Sequence, residues 1–157
     1  MATYTDSLGF DKGSAAIPAK GTNRSSVVSV TLDFPKIIAA RAAAGASALA
    51  ANDVIEVLPV PAGTIVRNVA LVVSTVAASG TIAIGDGSAA AGYLAAQAVS
   101  SAGTFGGVPV LAAGAFAPTL SGGKVYAAAD TIDITIGTAV PAAAVVRVVA
   151  ELVDIDA

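Results

Sequence analysis

Residues 53–75 read DVIEVLPVPAGTIVRNVALVVST, and this stretch decides the fold class. Val, Ile and Leu dominate two runs separated by Pro-Ala-Gly. The composition predicts strands over 53–60 and 64–75. Pro59 and Pro61 cannot donate ladder hydrogen bonds, so they mark a sheet edge or a strand end, and Gly63 supplies the turn. An ordinary antiparallel strand alternates apolar and polar residues because one of its faces is wet. Here both faces are mostly apolar, so the second face needs a partner. Arg67 and Asn68 are adjacent polar residues. That adjacency breaks the period of two and predicts a bulge that resets which side is buried.

Outward from this stretch, further strands follow. In VVSVTLDF, Val28, Val30 and Leu32 share one face. In DTIDITIG, Ile132, Ile134 and Ile136 face in while Thr131, Asp133 and Thr135 face out. In VVRVVAELVD, Val146, Val148, Ala150 and Leu152 share a face opposite Arg147 and Glu151. These last two are expected to pair through GTAVPAAA. GTIAIGDGS reads as a strand closed by a Gly-Asp-Gly turn, KVYAA as a brief strand, and GYLAAQAVSS as strand or loop. Residues 102–123 read as loop-rich, with extended pieces such as 108–111. PKIIAARAAAG predicts one short Ala-rich helix, with Pro35 at its first helical position and Gly45 just past its end, or else an irregular connector. About eight strands with regular turn signals give an all-β, jelly-roll-like antiparallel β-sandwich over residues 27–157. Residues 1–26 are polar and aperiodic, and read as an extended N-terminal arm.

The chain has 157 residues, 55% of them apolar but only 4% aromatic, and much of the apolar share is Ala. Small side chains bury little area each, at roughly 25 cal/mol per Å², so added stability from association is expected. Charged residues make up only 12%, about half the usual share of roughly 25%. Either neighbouring subunits hide much of the surface, or Ser, Thr, Gly and Ala cover it. The net charge of −3 argues against sequence-independent nucleic-acid binding. The longest apolar run, Val69 to Val73, is too short to cross a membrane, and the first 26 residues carry no apolar signal-peptide core.

Chemistry is poorly provided for. With no His and no Cys, the commonest general base and the thiolate metal ligand are both missing. GDGSAAAG (residues 85–92) lacks the Gly-Lys-Ser/Thr ending of a phosphate loop and reads as a β-turn. Asp86 alone does not make a calcium site. Asp53 with Glu56, and Asp130 with Asp133, are spaced by three, which on a strand sends the two carboxylates to opposite faces. Tyr93 and Tyr126 are the remaining candidates for a sugar platform, or else they pack within the sheet. No cofactor, metal or catalytic residue is expected.

The order of motifs from residue 52 onward resembles small structural proteins of tailed bacteriophages. It runs through a strand, Pro-Ala-Gly-Thr, a long strand, Gly-Asp-Gly, Gly-Tyr-Leu, Tyr…Ala-Asp-Thr-Ile-Asp and a Val-rich strand. The resemblance implies a jelly-roll decoration, or cement, protein made in the bacterial cytoplasm. Such a protein binds the major capsid protein on the outer capsid surface as a homodimer or homotrimer and has no catalytic residues. A tail or spike subunit and a carbohydrate-binding module are the alternatives. On this reading Lys12, Lys20 and Arg24 of the arm contact the capsid. The second apolar face of residues 53–75 meets a sister subunit, around Glu56, Leu58, Arg67 and Asn68. A covering by the chain's own residues 36–51 is the rival.

Overall fold

The computed structural model describes residues 3–4, 10–11, 25–106 and 123–155. Eleven strands and one helix follow in chain order: β1 Thr3–Tyr4, β2 Phe10–Asp11, β3 Ser25–Asp33, α1 Phe34–Ala43, β4 Val54–Val60, β5 Thr64–Thr75, β6 Thr81–Asp86, β7 Ala89–Ala98, β8 Gly103–Gly106, β9 Lys124–Tyr126, β10 Asp130–Ile136 and β11 Val145–Asp154. They form two sheets. Sheet A has the order β1-β4-β10-β6-β7, and sheet B the order β2-β3-β11-β5-β8, with β9 also on β5. Setting aside the short β1, β2 and β9, eight strands remain in four antiparallel pairs: β3 with β11, β4 with β10, β5 with β8 and β6 with β7. This is the strand order of a jelly roll, and the expected sandwich is borne out.

Two pairs of strands adjacent in sequence do not pair with each other, and for β10 with β11 this corrects the expectation. β4 and β5 do not form a hairpin: the Pro-Ala-Gly segment carries the chain from sheet A to sheet B. β10 and β11 also lie in opposite sheets, each at the centre of its own. Periodicity shows which face of a strand is buried. It does not show which neighbour the strand bonds.

The core fills the space between the inner faces, with Leu32, Ile55, Leu71, Ile84, Ile134 and Val148 among its fully buried members. The bulge at Arg67 is present. Glu151 pairs with Asn68 and Leu152 with Val66, so β5 carries one extra residue there. Thr64 and Val66 point inward before it, and Val69, Leu71 and Val73 after it. This bulge keeps the strand apolar-side-in across a change of parity, and a second irregularity lies near the strand's end, opposite Val145 and Val146.

Helix α1 closes one end of the sandwich. Asp33 caps it by accepting a hydrogen bond from the Lys36 amide at 3.1 Å, which satisfies one of the orphan donors of the first turn. Pro35 stands in that turn, and Gly45, at φ 64°, follows the end. Phe34 and Ile37 enter the core, and Leu49 packs against it. Residues 34–49 therefore plug the sandwich between its sheets and do not cover the outer face of β5.

Candidate functional site

The two outer faces of the sandwich differ in chemistry. On sheet A, a cleft of about 250 Å³ is lined by Glu56, Asp86, Asp130 and Asp133, together with Thr131, Thr135 and the β6–β7 turn. The register explains why these acids meet. Asp133 pairs with Glu56 on one side and with Gly85 on the other. Asp130 and Asp133, expected on opposite faces, both line the cleft. Asp130 is the first residue of its strand and turns its carboxylate onto the Thr131 amide at 2.8 Å. Among the described residues no group of acids is arranged to hold a metal ion.

Asp133 is only 5% exposed. The Thr131 hydroxyl donates to it at 2.6 Å. Burial drives its pKa up to about 6, against that hydrogen bond, and the charges of Glu56, Asp130 and Asp86 push the same way. The folded protein therefore binds a proton more readily than the unfolded chain. Stability is expected to rise as pH falls from about 7 to about 4. Asp133→Asn should flatten that rise and stabilise the protein at pH 7 by about 1–2 kcal/mol. Urea unfolding across this pH range measures both effects, and an unchanged slope in the variant would contradict the assignment.

Behind the cleft lies a densely bonded polar group. Asp86 ends β6, and one carboxylate oxygen accepts from the Ser88 amide at 2.9 Å, the Ser88 hydroxyl at 2.7 Å and the Ala89 amide at 3.1 Å. This is an Asx-type turn, so GDGS is a hairpin turn as expected. The other oxygen accepts from the Tyr126 hydroxyl at 2.6 Å and pairs with Lys124. Tyr126 has spent its proton on Asp86, so Tyr93 donates the 2.6 Å bond between the two hydroxyls. Burial works to raise the Asp86 pKa, but the bonds from Lys124, Tyr126 and Ser88 outweigh it and hold it at about 2. Burial, reinforced by Asp86, pushes the Tyr126 hydroxyl far above its ordinary range. Tyr93 and Tyr126 are 7% and 4% exposed and offer no platform to a sugar.

Sheet B presents a different outer face. Ile65, Ala70 and Val72 of β5 point out beside Val149 and Val153 of β11 and are half-buried among themselves. Val27 of β3 and Val125 of β9 are 66% and 56% exposed. This is the second apolar face that the sequence raised as a question.

The residues singled out as a subunit interface separate accordingly. Arg67 and Asn68 lie on the outer face of sheet B, Glu56 lies in the acidic cleft of sheet A, and Leu58 is buried in the core at 1% exposure. Leu58 follows the β4 bulge opposite Ile132 and Asp133, which turns it inward. Lys12, Lys20 and Arg24 lie outside the described residues, as do 107–122. Sequence reasoning missed the joint role of Asp86, Lys124 and Tyr126. They stand 38 and 40 positions apart, and no local pattern links them.

No protein-family model and no curated protein matches the chain. Two solved structures do. A chain in the capsid of Ralstonia phage GP4 superposes with a TM-score of 0.61 at 13% identity, covering 99% of this chain and 100% of that one. A chain in the cyanophage Pam1 capsid asymmetric unit superposes with a TM-score of 0.51 at 24% identity, covering 88% and 91% respectively. At these identities the likeness is one of fold.

Proposed function

We propose that this protein is a non-enzymatic structural component of a bacteriophage virion. It decorates the outer capsid shell, binds the major capsid protein, and works as a homo-oligomer. The observation that carries this reading is the end-to-end match in fold to a chain of the Ralstonia phage GP4 capsid, with nothing substantial left over on either side. The sequence supports it through the order of its strand motifs and its scarcity of charge.

The fold suits the task. A rigid sandwich resists deformation, and repeated attachment to a lattice turns weak single contacts into firm binding. The short strands β1 and β2 pair with β4 and β3 of the same chain; addition of a strand to a neighbour's sheet edge is a common means of attachment between proteins. In this reading residues 1–26, with Lys12, Lys20 and Arg24, reach the capsid subunit. The sugar-binding alternative loses its platform, because both tyrosines are bonded to each other in the interior.

The test is co-sedimentation with shells assembled from the cognate major capsid protein. The full chain should pellet with expanded shells, and a chain lacking residues 1–26 should remain folded and stay in the supernatant. Absence of the full chain from the pellet would overturn the reading. A virion map with the subunit on the tail would do the same in favour of a tail role.

A further inference from the structure

We infer that the outer face of sheet B is the surface on which a second copy of this chain packs, with β5 of one copy over β11 of the other. This takes up the self-association part of the function proposed above and locates it. The face is built in cross-strand rows. Val125, Ile65 and Val153 form one row through direct pairing. In the next, Asn68 pairs with Glu151 and Glu151 with Val27, and Arg67 reaches Glu151 at 3.8 Å.

Size permits an interface. Strands β3, β11 and β5 are 9, 10 and 12 residues long, and the short β8 and β9 extend the face beyond β5; at about 4.8 Å between strands and a rise of about 3.4 Å per residue they span on the order of 600 Å². Each partner in a stable complex contributes roughly 800 Å². The outer face of sheet A is unsuited to the same use, because four carboxylates gather there and two such faces would repel.

Charge favours self-pairing. A two-fold axis parallel to the strands, between β5 and β11, keeps every row in place and exchanges the two strands. It lays Ile65 over Val153, and Arg67 over Glu151, of the other copy. The β9 edge meets the β3 edge, with Val125 over Ser25 and Val27 one row away. In these rows Ile65 meets Val153 and Arg67 meets Glu151 across the axis, while Arg147, two rows further along, falls over Val72, and two sheet faces pack in the aligned manner of a sandwich.

The experiment needs only this chain, so its failure leaves the capsid reading untouched. Solution mass by light scattering and sedimentation should show an oligomer at micromolar concentration. The double variant Val27→Glu, Val125→Glu alters two exposed positions and should be folded by circular dichroism yet monomeric. Arg67→Glu and Glu151→Arg should each weaken association at least about tenfold, and the two together should restore it. That rescue keeps the test decisive if the valine variant fails to fold. A monomeric wild-type chain, an oligomeric valine variant, or single charge reversals without effect would each overturn the inference.

Discussion

Asp86→Ala is expected to destabilise the protein by about 3–5 kcal/mol, the cost of removing one member of a buried, hydrogen-bonded ion pair. The carboxylate serves five donors at once. Without it the Tyr126 hydroxyl faces a hole, its bond to Tyr93 loses direction, and the turn amides of Ser88 and Ala89 lose their acceptor. An unmet buried donor costs the full desolvation of its group. The loss should be sharpest at β9, which pairs with β5 over only three residues and relies on Lys124 and Tyr126 to hold it. Hydrogen exchange should report opening of β9 before the rest of the sheet. Asp86→Asn keeps an acceptor for Tyr126 but removes the charge, and should cost less. A denaturation curve for Asp86→Ala within about 1 kcal/mol of wild type would show that the network does not hold the two sheets together here.

Gly85→Ala should be nearly as damaging, at about 3 kcal/mol or more. A Cβ at this position falls 1.9 Å from the Ala89 carbonyl oxygen and 2.5 Å from the Ala90 carbonyl carbon. Both are backbone atoms of β7, so relief means giving up the β6–β7 register. The other glycine of the Gly-Asp-Gly turn provides the control. A Cβ on Gly87 meets only an Asp130 oxygen at 3.6 Å, an ordinary contact, and Gly87→Ala should move stability by less than about 1 kcal/mol. Thermal unfolding of the two variants side by side measures the contrast, and equal melting temperatures would refute it.

These two residues show how far the sequence could be read. Alternation in residues 130–136 and 145–154 exposes the inner faces of β10 and β11 directly, because side chains on a strand point to opposite sides in turn. The adjacent Arg67 and Asn68 reveal a bulge for the same reason. Asp33, Pro35 and Gly45 outline the helix. Partnership between strands is another matter. It depends on how the chain closes in three dimensions, and so β10 and β11 looked like a pair while belonging to different sheets. Asp133 looked solvated because it sits at an outward position, yet Glu56, the β6–β7 turn and its own strand enclose it. Asp86 looked like a turn residue, which it is. That it also anchors a strand arriving almost forty residues later is invisible locally.

The central places of β10 and β11 have a consequence for how the molecule comes into being. β10 bridges β4 and β6, and β11 bridges β3 and β5, yet both are synthesised after those neighbours. Until residues 130–154 leave the ribosome, the β6–β7 hairpin can close, but β3, β4 and β5 lack the central strands that join them into their sheets. Closing such distant pairs carries a large loop entropy, and all-β chains of this kind fold in milliseconds to seconds rather than microseconds. During that interval the apolar runs of β3, β4 and β5 are open to wrong partners on other nascent chains. Folding yield in the cell should therefore respond to chaperone supply and to the rate of synthesis more than the stability of the finished sandwich would suggest.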